Sequence, residues 1–116
     1  MRDYTKYEIW NDGIEICTLI YGLTNSFPVE EKFGLISQLR RASVSISSNF
    51  AEGCSRTSEK DFKRFIEIAL GSCFEVRTQL EIAVKLKFIH TDSLEVLMSR
   101  LEKTSKQLNS LRNKIK

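Results

Sequence analysis

The stretch LRRASVSISSNFAEG, Leu39 to Gly53, gathers the chain's most suggestive chemistry. Arg40-Arg41-Ala42-Ser43 has the order that basophilic kinases accept, and further serines follow at Ser45, Ser47 and Ser48. A serine becomes a nucleophile only with a base beside it. The one histidine, His90, falls in a predicted turn and has no metal-ligating or basic partner at helical spacing. Glu67 and Glu75 could act as a general acid and base, but the cations expected opposite them favour a structural ion-pair role. No Gly-rich phosphate loop, no G-x-S-x-G turn and no Glu-x-x-His pair occurs, and Ser72 after Gly71 reads as mid-helix. Three cysteines, Cys17, Cys54 and Cys73, form no C-x-x-C pair, which argues against a disulfide framework or a zinc knuckle. Cys17 and Cys73 lie on apolar stripes and Cys54 in a predicted turn. No catalytic residue, metal or cofactor is expected.

The elements that carry these residues are helical. Hydrophobic residues make up 41% of the 116 and charged ones 28%, with a single Pro. That composition suits one globular domain spanning 1–116. No apolar run approaches the roughly 20 residues of a membrane span, and no signal-peptide core is evident, so a soluble, cytoplasmic protein is expected. Trp10, Ile14, Cys17, Tyr21 and Thr24 form a first helical stripe, continuing in phase across Asn11-Asp12-Gly13. Pro28 and the acids Glu30 and Glu31 open a second helix. Leu35, Leu39, Ala42, Ile46, Phe50 and Gly53 share one face of it, so the serine-rich stretch is helix rather than loop. Ser43 therefore sits beside the core, where a kinase could not reach it without unfolding the helix. Gly53 is expected to end this helix. Ser58 with Asp61 caps a third helix, striped by Phe62, Ile66, Ala69, Cys73, Val76, Leu80 and Ala83. Asp92 with Glu95 caps a fourth, striped by Leu94, Leu97, Leu101, Leu108, Leu111 and Ile115. Short connections predict an all-α, antiparallel up-down-up-down four-helix bundle.

A second, polar stripe flanks the core face of the second helix: Gln38, Arg41, Ser45, Asn49 and Glu52. Folding the second and third helices about residues 55–57 sets Arg41 opposite Gly71, with Glu67 and Glu75 one turn to either side. A polar seam or oligomer interface with Arg41 paired to one of those acids is the expectation.

Taken in order, Trp10, Phe27-Pro28, Q-L-R-R-A-x-x-S-I-x-x-N-F-A-E-G from Gln38 and A-L-G-S-x-x-E from Ala69 resemble a known family. It is that of the small bacterial four-helix-bundle proteins first noticed as reading frames within intervening sequences of 23S ribosomal RNA genes. The resemblance covers nearly all of residues 4–115; Phe50 stands where Ile is usual. It implies a ring-like homo-oligomer, commonly a pentamer. A more distant similarity is to accessory proteins of diversity-generating retroelements, basic pentamers that associate with a reverse transcriptase and its RNA.

Charge supports an anionic partner. Residues 100–116 hold six bases against Glu102, a local charge of +5 within a total of +3. Arg40, Arg56, Lys60 and Lys63 are the candidate nucleic-acid contacts, and a ring of five would carry about +15. No aromatic platform for bases is evident in the sequence. The expected function is a non-enzymatic oligomeric accessory protein holding RNA or DNA. The alternative is a protein scaffold that docks a polymerase or reverse transcriptase.

Overall fold

A computed structural model describes residues 1–115 and contains four α-helices and no strand among them. They are α1 (Glu8–Thr24), α2 (Leu35–Cys54), α3 (Glu59–Lys85) and α4 (Thr91–Lys114), with short 3₁₀ turns at Tyr4–Lys6 and Val29–Glu31. α2 and α3 share the most extensive contact, α1 packs on α2, α4 packs on α3, and the α1–α4 side is the thinnest.

The stripes of α2, α3 and α4 form the core as their periodicity requires. Leu39, Ile46, Phe50, Phe62, Ile66, Ala69, Cys73, Val76, Leu80, Leu101 and Leu108 are fully buried. Phe50 lies edge-on between the rings of Tyr7 and Phe62. Ser58 caps α3, its Oγ accepting from the Asp61 N–H at 3.0 Å.

In α1 the core face is one residue out of phase with the expected stripe. Ile9, Gly13, Ile16, Ile20 and Thr24 are buried, whereas Ile14 and Tyr21 are exposed and Trp10 and Cys17 half-buried. Close approach of α1 to α2 sets this rotation. A Cβ on Gly13 would stand 2.1 Å from Ser47 Oγ, and that hydroxyl donates to the Trp10 carbonyl at 3.1 Å.

Three boundaries also differ from expectation. Pro28 leads into a 3₁₀ turn, and α2 begins only at Leu35, where Glu31 Oε1 accepts from the Leu35 N–H at 3.0 Å. The acid thus serves the helix start as expected, from one turn further out. α4 is preceded by His90 at its N-cap, so Asp92 lies inside its first turn rather than capping it. Gly53 does not end α2: Cys54 is still helical and fully buried, not in a turn. Gly53 is required for contact, since a Cβ there would stand 2.7 Å from Phe65 Cβ.

Two glycine substitutions separate contact from helix propensity. Gly53→Ala forces α2 and α3 apart and is expected to cost about 1–3 kcal/mol. Gly22→Ala, exposed with nothing within 4 Å of the new methyl, should stabilise by about 0.5–1 kcal/mol. Urea unfolding midpoints read both, and equal signs would contradict the assignment.

Candidate nucleic-acid interface and polar seam

The polar seam exists, in a register further along α3 than expected. Ser72 Oγ donates to Ser45 Oγ at 2.8 Å, and Asn49 Nδ2 donates to the same hydroxyl at 2.7 Å. Gln79 Nε2 reaches Gln38 Oε1 and Glu75 Oε2, both at 3.4 Å. Side chains on both helices lean toward their own N-termini, which moves the meeting pairs along α3 from a count made at backbone height.

The ion pair expected of Arg41 is formed with neither acid, although Glu75 stays on its side of the helices. Arg41 is exposed and makes no ion pair among the described residues; with Gln38, Ser45 and Glu75 it lines a shallow hollow under the 88% exposed ring of Phe33. Glu67 points to the other side of α3, its Oε2 4.0 Å from Arg112. Glu67 and Glu75 thus lie in different grooves, which removes them as an acid–base pair. Glu52 is engaged by Arg56, one turn on, at 3.0 Å.

The four candidate phosphate contacts fall at two ends of α2. Arg40 sits near its start and closes the end of α1. Its Nε donates to Thr24 Oγ1 at 2.9 Å and its Nη2 to Asn25 Oδ1 at 3.1 Å, while the guanidinium lies 4.6 Å from the Tyr21 ring centroid. Arg56 is 16 residues further on, about 24 Å along a helix, and is held by Glu52 and the Phe65 ring. Lys60, exposed, and Lys63, half-buried, occupy the first turns of α3 and make no ion pair among the described residues.

Arg2 also reaches this corner: its N–H donates to the Cys54 carbonyl at 3.0 Å, and its guanidinium sits 3.8 Å above the Phe62 ring and 2.6 Å from Glu59. Its position so far from Cys54 in sequence gave no pattern to read. α4 is tied across to α1 by Lys103, which bonds Glu8 and lies 3.5 Å from Asp12. That contact holds the Glu8 carboxyl below, and the Lys103 ammonium above, their ordinary values.

The thiols are poor candidates for chemistry. Burial pushes Cys73 up to about 11, against smaller opposing effects of Ser105 and Arg77, and burial also raises Cys54. Among the described residues no group of three or more His, Cys, Asp or Glu is placed to hold a metal ion, and no helix is long and apolar enough to cross a membrane.

A family model described as "23S rRNA-intervening sequence protein" matches residues 5–110. No curated protein matches the chain. Among solved structures, the chain is similar to a protein of unknown function from the S23 ribosomal protein family of Bacteroides thetaiotaomicron. The TM-score is 0.80 at 22% identity, over 90% of this chain and 97% of that one. At that identity the likeness speaks to the fold.

Arg40 has a structural task independent of any ligand. Arg40→Ala leaves the end of α1 without its side-chain contacts, and hydrogen bonds to charged groups are worth about 1.5–3 kcal/mol each at most. A loss of roughly 1–3 kcal/mol in urea unfolding is expected, only partly restored by Arg40→Lys, which lacks the planar fork. An unchanged midpoint would contradict this role.

Proposed function

The chain belongs to the 23S rRNA-intervening sequence protein family, and from that premise we propose that it is a non-enzymatic accessory protein that associates with RNA through basic surface patches. Its working form is a ring-like homo-oligomer of antiparallel up-down-up-down bundles, taken as a pentamer acting in the cytoplasm. The order of the pairs Ser45–Ser72 and Gln38–Gln79, rising on α2 as it falls toward the turn on α3, supports the antiparallel reading. Exposed apolar side chains such as Phe33 and Val96 are surface that a lone bundle has no use for and a subunit contact could cover.

The observation that carries the RNA reading is the corner between α2 and α3. There the arginines are held by Glu52 and Glu59, while Lys60 and Lys63 are left without ion partners among the described residues. Ammonium groups in that state can exchange counterions for phosphates. A second reading, a protein-docking scaffold, is favoured by the apolar row Ile14, Tyr21 and Val44, each about two-fifths exposed.

Salt separates the two readings. In a fluorescence-anisotropy titration with a labelled structured RNA, affinity should fall about tenfold or more between about 50 and about 200 mM salt. Replacing Lys60 and Lys63 by Gln should weaken binding further and flatten that dependence. No binding at the lower salt contradicts the RNA reading, and a partner protein held equally well at both salts supports the scaffold.

A further inference from the structure

A groove of about 680 Å³ runs between α3 and the second half of α4. Such a volume is within the range of about 300–1,000 Å³ typical of small-ligand sites. On its α3 side Phe74 is 57% exposed, and Gly71 beside it would offer a Cβ nothing within 4 Å. The ring therefore stands next to an open bay, with the Arg77 guanidinium 5.8 Å from its centroid. Across from it Ser105, 7% exposed, lines the floor with its hydroxyl buried toward Cys73, and Asn109, one turn on, accepts from Arg112.

Three cations rim this groove: Arg77, Lys106 and Arg112. Its two carboxylates are each engaged by a rim cation, Glu67 by Arg112 at 4.0 Å and Glu102 by Lys106 at 3.2 Å. Arg77 has no ion partner among the described residues. Lys63 and Lys60 continue the same face of α3 at i−4 and i−7 from Glu67, so the cations extend from the groove to the α2–α3 corner. From residue 60 to residue 77 the helix rises about 26 Å.

A row of cations along a groove beside an exposed aromatic ring makes up the chemistry that takes unpaired nucleotides: phosphates along the rim, a base on the ring. A helix from another protein would use the apolar wall but would leave the charge of Arg77 unanswered. A duplex buries its base faces and offers Phe74 nothing to stack on.

We propose that the α3–α4 groove binds a single-stranded polynucleotide, with one base stacked on Phe74 in the space beside Gly71 and phosphates held by Arg77 and Lys63. This rests on the RNA reading above and gives it a location and a preferred form of ligand. RNA and DNA share the chemistry invoked, so both sugars belong in the test.

The test is anisotropy with fluorescein-labelled oligouridylate, oligothymidylate and a fully paired hairpin of equal charge, with the oligomeric mass of every variant followed by light scattering. The single strands should bind more tightly than the hairpin. Phe74→Ala should weaken single-strand binding about tenfold or more while leaving its salt dependence unchanged, and Phe74→Trp should restore it. Arg77→Gln should lower the salt slope by about one phosphate. Wild-type binding that is indifferent to Phe74→Ala and Arg77→Gln overturns the groove and leaves the RNA reading standing. No binding by the wild type overturns both. A change of oligomeric mass in Phe74→Ala at unaltered affinity overturns the proposal and assigns the groove to a second copy of the chain.

Discussion

The close approach of α2 to α3 is the constraint on which the other parts rest. At one end it depends on an absent side chain, since any Cβ on Gly53 would collide with Phe65. Above that contact the buried faces of the two helices interlock through Phe50, Ile46 and Leu39 on one side and Phe62, Ile66 and Val76 on the other. The seam from Ser45–Ser72 to Gln38–Gln79 fixes the register, because a slip would leave half-buried hydroxyls and amides unpaired. Two surfaces follow from that register. Arg41 and Glu75 are turned to one side of the α2–α3 pair, and Glu67, Gly71 and Phe74 to the other, over α4.

α1 and α4 are attached to this pair by different means. α1 gains a close fit through Gly13 against Ser47 and a closed end through Arg40. α4 buries Leu94, Leu97, Leu101 and Leu108 but also Ser105 and Thr104, the latter with a hydroxyl that has no partner among the described residues. Its side-chain ties to the other helices are surface ion pairs: Lys103 to Glu8 and Asp12, Arg100 to Glu15, Arg112 to Glu67. Such pairs contribute little once screened by solvent and salt. The polar links of the helix that forms one wall of the proposed groove are thus the ones that salt weakens.

Where a helix has one apolar stripe, periodicity located the core, as in α2 and α3. α1 carries two adjacent stripes, Ile9-Gly13-Ile16-Ile20 and Trp10-Ile14-Cys17-Tyr21, one residue and so about 100° apart. The first holds three isoleucines but is broken by Gly13, which offers no apolar side chain, whereas the second is unbroken; packing chose the first because only Gly13 admits Ser47. A glycine valued for its lack of a side chain is invisible to a count of apolar residues. Of the candidate contacts, Lys60 and Lys63 remain available and Arg40 does not, because it is occupied by Thr24 and Asn25, 16 and 15 residues away in sequence. Phe74 reads as one more apolar residue until the register of α3 on α4 leaves it at the surface.

Native-state hydrogen exchange, followed amide by amide, tests the primacy of the α2–α3 contact most directly. The slowest amides should be those of Leu39, Ile46, Phe50, Ile66, Cys73 and Val76, exchanging only through global unfolding, with those of α4 opening earlier and sooner still as salt is raised. Amides of α4 that exchange as slowly as those of α2 and α3, at low and high salt alike, would contradict the account.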